Sequence, residues 1–313
     1  MASHQRSRNR PSGPSEVRPY LGVGFGVVTV SAAAVLIRLA QAEVHSIVVA
    51  AWRLTLATVI LAPVALLGFR REFKSFTPGD WRNAVLSGLL LAVHFATWIS
   101  SLALTTVAAS VVLVWTSPIF VALGSHLLLG EPITRDMTMA LVAVILGSVI
   151  IGVGDLGEGT HRLLGDFLAL MGAISGAGYF LIGRRLRRRL SLIAYVFPVY
   201  GTAALTLITV MLVSGLGPAP QRPQTWLWLV LMAIGPQILG HSSLNWALRY
   251  FSATFVSVAT LGEPIGATLL AWWLLGERPS SWAVVGGMLI IVGIAIASRA
   301  AYPERAVDER RGA

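Results

Sequence analysis

Two stretches of the chain are similar in sequence and predict its architecture. Residues 118–131 read PIFVALGSHLLLGE, and residues 264–277 read PIGATLLAWWLLGE. At an offset of 146 residues, seven of the fourteen positions are identical, from Pro118 and Pro264 to the shared ending LLGE. A repeat at this distance predicts two similar structural units within one chain.

The composition predicts a membrane protein. Of the 313 residues, 55% are hydrophobic and only 12% are charged, and the mean hydropathy is +0.74. Soluble domains carry about 25% charged residues, and a single soluble core stops growing near roughly 250–300 residues. So much apolar sequence excludes a soluble globular enzyme and a disordered chain. The absence of cysteine excludes a disulfide scaffold.

Ten apolar stretches with few or no charges, most of them close to 20 residues long, divide the chain. Each can cross a bilayer core of about 30 Å as a helix rising about 1.5 Å per residue, and they lack the alternation of β-barrel strands. We therefore predict an all-α membrane protein with ten transmembrane helices. The stretches are residues 20–40, 46–69, 83–103, 107–129, 137–154, 165–183, 191–215, 225–247, 252–275 and 280–299.

The basic residues predict the orientation in the membrane. With the N-terminus in the cytoplasm, 19 of the 24 Lys and Arg residues lie in inner segments and three in outer loops, while Arg38 and Arg53 lie inside spans. Because short cytoplasmic segments are enriched in Lys and Arg, we predict that both termini are cytoplasmic. The net charge of +10 is divided among short runs rather than gathered on one face, which argues against a nucleic-acid partner.

The repeat and the spans together predict the domain organisation. Residues 20–154 form the first five-helix repeat and residues 165–299 the second, between a disordered cytoplasmic tail at 1–19 and a cytoplasmic tail at 300–313. Because five spans per repeat is an odd number, the second repeat enters the membrane from the opposite side. Inverted repeats of this kind are typical of alternating-access carriers, whose site lies between them near the membrane midplane.

The repeated sequences also resemble a known family. Residues 103–134, ALTTVAASVVLVWTSPIFVALGSHLLLGEPIT, and residues 247–280, ALRYFSATFVSVATLGEPIGATLLAWWLLGERPS, are similar to the EamA-type transporters of the drug/metabolite transporter superfamily. The resemblance covers residues from about 22 to 298. It implies ten spans in two five-helix repeats, and export of amino acids, other metabolites or toxic compounds across the bacterial inner membrane. The alternatives are an importer or exchanger of the same fold and, from a different class, a channel.

No motif in the chain indicates an enzyme. A P-loop needs a lysine after its glycines, and the only lysine is Lys74, outside any such motif. His94, His126 and His241 lie on three different spans, without a second histidine or acid at helical ligand spacing. We therefore expect no catalytic residue, metal or cofactor, and the partners are a small-molecule substrate and membrane lipid.

Glycines and prolines inside the spans predict close helix contacts and kinks. The GxxxG pair Gly172 and Gly176 fits either packing within a monomer or the interface of a homodimer. Pro118 and Pro264 each remove a backbone donor inside a predicted span, so we expect symmetric kinks beside the cavity.

Aromatic and acidic side chains supply further candidates. An aromatic wall is usual around an organic substrate, and the deep candidates are Trp98, Trp115, Tyr179 and Trp246. The repeat-related Glu131 and Glu277 lie at span ends, where a carboxylate costs little. We expect a structural or gating role for these two.

The strongest site candidates are Arg53 and Glu263, the two formal charges deep inside the predicted spans. At about 1.5 Å per residue both lie roughly 12 Å from the outer edge of the core, and His94 shares that level. We expect Arg53 and Glu263 to meet at the cavity, with Glu263 exchanging protons against substrate. Arg53 is then a counter-ion or a clamp for a substrate carboxylate. The alternative is a static buried ion pair.

Overall fold

The described part of the chain is helical throughout its regular structure. The computed structural model describes residues 14–104, 110, 113–153, 162–217, 220–275 and 281–311, and none of these residues forms a strand. The helices of the first half are α1 Pro14–Val30, α2 Ala33–Gln41, α3 Ser46–Gly68, α4 Arg70–Lys74, α5 Pro78–Ser101, α6 Ser117–Leu129 and α7 Arg135–Val153. Those of the second half are α8 Arg162–Arg187, α9 Leu192–Val213, α10 Pro223–Met232, the π-helical segment Ala233–His241, α11 Ser242–Ala247, α12 Ala253–Thr260, α13 Glu263–Leu275 and α14 Ser281–Arg311.

Six helical segments of the described residues are long and apolar enough to cross a membrane, against ten predicted spans. They are Val17–Gln41, Ser46–Gly68, Pro78–Ser101, Leu163–Arg187, Leu192–Val213 and Pro223–Ala247. Shorter apolar helices, Ser117–Leu129 and Val284–Ala300, fall in two of the other predicted stretches. Helix α1 begins at Pro14 and α14 ends at Arg311, so both extend into segments predicted as tails. Hydropathy locates the apolar part of a helix but not its polar ends.

Two short helices occupy equivalent positions in the two halves. Helices α6 and α13 each have 13 residues, and both their first and their last residues are 146 positions apart. Pro118 and Pro264 are the second residues of these helices, where a missing backbone N–H breaks no helical hydrogen bond. The predicted kinks inside continuous spans are therefore corrected to helix beginnings. In the second half α12 ends at Thr260, and residues 261–262 form a turn before α13.

A π-helical segment interrupts the predicted span at 225–247. It covers Ala233–His241 and contains Pro236, which has no N–H to donate and disfavours regular α-helical packing of the preceding turn. The wider π turn carries extra residues into a helix and is frequent at functional sites. Here it includes Gln237, whose side chain is fully buried.

The largest interfaces join helices of opposite halves. Helix α7 packs on α14, α3 on α9, and α5 on α8, while α1 packs on the π-helical segment and α11. In the repeat, α5 corresponds to the π-helical segment with α11, and α8 corresponds to α1. The contact of α5 with α8 therefore has its equivalent in the contact of the π-helical segment and α11 with α1. The two halves therefore interlock with approximate twofold symmetry. Their buried apolar side chains form two hydrophobic clusters.

The glycines of the GxxxG pair are used within the chain. A Cβ atom on Gly172 would lie 3.2 Å from the Cβ of Trp98, and one on Gly176 would lie 2.8 Å from His94 Nδ1. Both glycines therefore allow α8 to approach α5 closely. This contact accounts for the motif without a second copy of the chain.

Carboxylates of the first half bind helix N-termini of the second. Glu43 accepts hydrogen bonds from the backbone N–H groups of Gln221 (2.6 Å) and Arg222 (2.9 Å), and from the Thr225 hydroxyl. These donors, with the Thr225 hydroxyl first, lower the pKa of the Glu43 carboxyl. Similarly, Glu72 accepts from the N–H and hydroxyl of Ser191, which fixes the beginning of α9.

The repeat-related glycines Gly147 and Gly293 lie where α7 and α14 approach each other closely. A Cβ on Gly147 would lie 2.5 Å from the Gly286 carbonyl oxygen, and one on Gly293 would lie 3.0 Å from the Ala140 carbonyl oxygen. Because backbone cannot move aside like a flexible side chain, we expect Gly147→Ala and Gly293→Ala each to destabilise the protein by about 1–3 kcal/mol. The measurement is the thermal unfolding midpoint of the purified protein.

Gly24 provides the matched control for this prediction. It lies in α1, where an added Cβ would have no atom within 4 Å, and alanine is favoured over glycine in helices by about 1 kcal/mol. Gly24→Ala should therefore leave the midpoint unchanged or raise it. Equal midpoints for the Gly24, Gly147 and Gly293 variants would contradict the close approach of α7 and α14.

Candidate functional site

A cavity lies between the two halves, next to the beginnings of the short helices α6 and α13. Its volume is about 80 Å³, enough for a few water molecules or one functional group rather than a whole drug-sized ligand. Six of the seven residues predicted for substrate binding or coupling line it. They are Arg53, His94, Trp98, Trp115, Tyr179 and Glu263.

Part of the cavity wall has the symmetry of the repeat. Three pairs of lining residues are 146 positions apart, so that each half supplies the same three positions. The pairs are Val114 with Thr260, Trp115 with Leu261, and Ser117 with Glu263. Ser117 and Glu263 are the first residues of α6 and α13. The cavity is therefore built where the interrupted spans of both halves begin their second helices.

Arg53 is the buried cation of the site. It lies on α3 with no exposed surface, and its Nε donates to Oε1 of Gln237 at 2.8 Å. The guanidinium carbon lies 4.3 Å from the ring centroid of Phe95, a distance at which cation and ring attract each other. The terminal nitrogens Nη1 and Nη2 are buried and have no hydrogen-bond partner in the described part of the chain.

Glu263 lines the same cavity as Arg53, but the structure does not join them in an ion pair. No contact of 4.0 Å or less connects their charged atoms in the described residues. Gln237 orients the Arg53 guanidinium from one side. Glu263 belongs to the first turn of α13, where the helix dipole favours a negative charge.

His94, Trp98 and Tyr179 also line the cavity. His94 Nδ1 lies 2.8 Å from the Gly172 carbonyl oxygen, which can only accept, so Nδ1 carries the proton. The rings of His94 and Trp98 stack with centroids 5.9 Å apart. The Tyr179 hydroxyl accepts a hydrogen bond from Nδ2 of Asn245. These contacts fix the aromatic side chains around the cavity.

The prediction that Trp246 lines the cavity is wrong. Its ring packs against α1, where a Cβ on Gly22 would lie 2.5 Å from Trp246 Cζ3, and against Tyr250, at a centroid distance of 4.7 Å. The absent side chain of Gly22 leaves the space that this indole fills. Trp246 therefore contributes to helix packing rather than to the cavity.

Two polar residues of the site were missed by the sequence analysis. Gln237 binds Arg53, and His241 lines the cavity. Both belong to the π-helical segment, and neither carries the permanent charge for which the spans were searched. Gln237 directly follows Pro236, and an amide beside a proline inside an apolar span is the signal that would have found it.

Glu131 joins the two halves away from the cavity. Its Oε1 accepts from Arg184 Nε at 2.8 Å and from Arg188 Nη2 at 3.2 Å, and its Oε2 accepts from the backbone N–H of Ala253 at 3.3 Å. One buried carboxylate thus connects the end of α6 with α8 and with the beginning of α12. We call this group the Glu131 latch. Glu277, its predicted counterpart, lies outside the described residues.

Comparison with known proteins identifies the family. Residues 19–153 and residues 163–299 each match the EamA-like transporter family. The chain belongs to the EamA-like transporter family. The family unit occurs twice, which confirms the resemblance seen in the repeated sequences. Membership and the apolar helices place this EamA-like protein among membrane transporters of small molecules.

Relatives of this EamA-like protein are named as transporters. The pseudopaline exporter CntI of Pseudomonas aeruginosa (strain UCBPP-PA14) is 29% identical over 216 residues, which are 69% of this chain and 74% of that protein. An uncharacterized transporter of Archaeoglobus fulgidus is 25% identical over 268 residues, 83% of this chain and 90% of that protein. A solved crystal structure matches with a TM-score of 0.77 at 19% identity, covering 91% of this chain and 98% of that one. That structural likeness supports the fold alone.

Proposed function

We propose that this EamA-like protein is a secondary transporter that exports small organic solutes, such as metabolites, amino acids or drugs, by alternating access. The observation that carries the proposal is the cavity whose wall comes from equivalent positions of both repeats. Carriers with inverted repeats bind substrate at the repeat interface, beside discontinuous helices. Helices α6 and α13 begin at this cavity and provide such an arrangement.

The proposed topology has ten spans, with both termini in the cytoplasm of a bacterium and the chain in its inner membrane. It rests on the ten apolar stretches and on the 19 basic residues assigned to inner segments. In this orientation the Glu131 latch lies on the cytoplasmic side and closes the cavity from that side. In this proposal, access to the cavity is opened and closed by segments that contain Pro118, Pro264, Glu131 and Glu277.

Protons are the proposed coupling ion, and Glu263 is the group that exchanges them. Its support is position, because Glu263 brings a carboxylate to the cavity wall inside an apolar helix. Ionisable groups in the membrane interior are expensive and usually functional. Arg53 supplies the opposing charge, and His94 is the weaker third candidate. The aromatic residues Trp98, Trp115 and Tyr179 form the wall against the solute.

The export direction is supported by the name of CntI, a pseudopaline exporter. An importer or exchanger of the same fold would use the same cavity, and a channel is the alternative from another class. Direction and class are therefore tested together in proteoliposomes.

The test is counterflow with the purified protein and a panel of amino acids, polyamines and xenobiotics. A carrier reorients faster with solute bound, so unlabelled solute inside the vesicles should stimulate entry of the labelled solute several-fold. A channel shows no such stimulation. Equal entry with and without internal solute would contradict the carrier, and gradient-driven movement towards the cytoplasmic face alone would contradict export.

A further inference from the structure

The buried side chain of Arg53, on the cavity wall, has hydrogen-bond donors without acceptors. Arg53 is fully buried, yet Nη1 and Nη2 have no partner among the described residues. Nε1 of Trp98 and Nε2 of Gln237 are also buried donors without an acceptor in the same part of the chain. Buried donors without acceptors are destabilising and uncommon in native structures. The two free Nη groups of Arg53 therefore indicate that an acceptor binds them in the working cycle.

The orientation of Arg53 determines what that acceptor is. Gln237 accepts the hydrogen bond of Nε along one edge of the guanidinium group. The ring of Phe95 packs against one face of the same group. The two Nη groups remain as a parallel fork. A carboxylate matches such a fork with two charge-assisted hydrogen bonds.

We propose that Arg53, positioned by Gln237, binds a carboxylate group of the transported solute. The inference rests on the proposed transport function and names the substrate class of its cavity. Arg53 contacts the solute, and Gln237 is a positioning residue that acts through Arg53. The volume of about 80 Å³ accommodates a carboxylate and the atoms next to it.

The charges of the cavity favour a carboxylate over a phosphate. Among the described residues that line it, Arg53 is the one Lys or Arg, and Glu263 contributes a carboxylate of its own. A phosphate carries up to two negative charges and usually needs several basic groups, so it would leave charge uncompensated beside Glu263. Nucleotide sugars and sugar phosphates are therefore poor ligands. A zwitterion fits best, because its cationic group is attracted to Glu263 while its carboxylate binds Arg53.

The experiment compares acids with their amides. The full-length protein in lipid nanodiscs is titrated with the twenty proteinogenic amino acids, with monocarboxylates from acetate to phenylpropionate, and with the matching amides, and binding is measured by thermal shift and calorimetry. At least one acid should bind, and its amide should bind about 100-fold more weakly. Stabilisation by no acid, or equal affinity for acid and amide, would overturn the proposal.

Variants assign the effect to Arg53. Arg53→Gln should weaken binding of the acid on the order of 100-fold and leave the amide unchanged, whereas Arg53→Lys should recover only part of the loss because it has no fork. Gln237→Met should weaken the acid about tenfold, whereas Gln237→Glu keeps an acceptor for Nε and should preserve the orientation of Arg53. Arg38→Gln removes the other span arginine, which is exposed, and should bind as wild type. Acid binding that is unchanged in Arg53→Gln would overturn the assignment.

Counterflow separates this inference from the proposed function. If acids bind through Arg53 but no solute exchanges across the membrane, the carboxylate site stands and the transporter proposal fails. If solutes exchange without preference for acids over amides, transport stands and the carboxylate site is overturned.

Discussion

Replacing Glu131 by glutamine is expected to open the cytoplasmic side of the cavity. The 2.8 Å bond from Arg184 and the 3.2 Å bond from Arg188 both end on one buried oxygen of Glu131. A hydrogen bond to a charged group contributes about 1.5–3 kcal/mol, and a neutral acceptor forms roughly half as strong a bond. Loss of the charge should therefore shift the equilibrium between closed and open states by about tenfold or more.

Cysteine labelling measures this shift. The chain contains no cysteine, so Ser117→Cys places a single thiol on the cavity wall. In inside-out membrane vesicles, a membrane-impermeant maleimide should label this thiol at least about tenfold faster when Glu131→Gln is also present. Arg184→Gln should produce a similar increase, because it removes the other member of the shortest bond.

Arg135→Gln is the control for the latch. Arg135 lies four residues after Glu131 and is exposed, so its loss changes the local charge without breaking the latch. Labelling rates that are equal in wild type, Glu131→Gln and Arg184→Gln would show that the latch does not close the cavity. If Glu131→Gln accelerated labelling only in right-side-out vesicles, in which the periplasmic face is exposed, the proposed orientation would be contradicted.

The sequence repeat predicted the equivalent positions at the beginnings of α6 and α13, which the hydropathy did not indicate. The offset of 146 residues, read from Pro118 and Pro264, also relates the ends of α6 to those of α13, and Ser117 to Glu263. Hydropathy joined residues 252–275 into one span, although the structure divides them into α12 and α13. The free energy of transferring a side chain from water to lipid is the same whether the helix is continuous or interrupted. A hydropathy profile therefore does not show where the helix is interrupted.

The same reasoning explains which site residues were found. Arg53 and Glu263 stand out because a charge inside a span is rare and costly, and both residues line the cavity described above. Gln237 is neutral, so a search for charges passed over it. Trp246 has a suitable depth, but depth does not specify the face of the helix. Because lipid and protein interior are similarly apolar, a membrane helix lacks the amphipathic pattern that would reveal that face.

Glu263 is the residue at which we expect solute transport to be coupled to proton movement. Of the described residues that line the cavity it is the one carboxylate, and Arg53 shares the cavity without forming an ion pair with it. A static pair would hold both charges permanently, whereas an unpaired carboxylate is free to take up a proton when the cavity changes its surroundings. Competition between a proton and the cationic part of a solute at one carboxylate couples their opposite movements.

Glu263→Gln should therefore uncouple transport from the proton gradient while preserving exchange. In inside-out-oriented proteoliposomes with an acidic interior, wild type should accumulate the solute that shows counterflow, and Glu263→Gln should lose this accumulation by about tenfold or more, equivalent to about 1.4 kcal/mol of coupling. Counterflow at equal pH should persist at saturating solute, since glutamine keeps the shape of the side chain and an acceptor oxygen for the cationic group of the solute. Glu263→Asp should retain part of the gradient dependence, and Asp136→Asn, which removes an exposed carboxylate at the beginning of α7, should retain all of it.

Accumulation in Glu263→Gln that depends on the proton gradient as in wild type would contradict the coupling role. Loss of counterflow even at saturating solute would show that the solute cannot bind without the Glu263 charge, and would contradict a coupling role separable from binding.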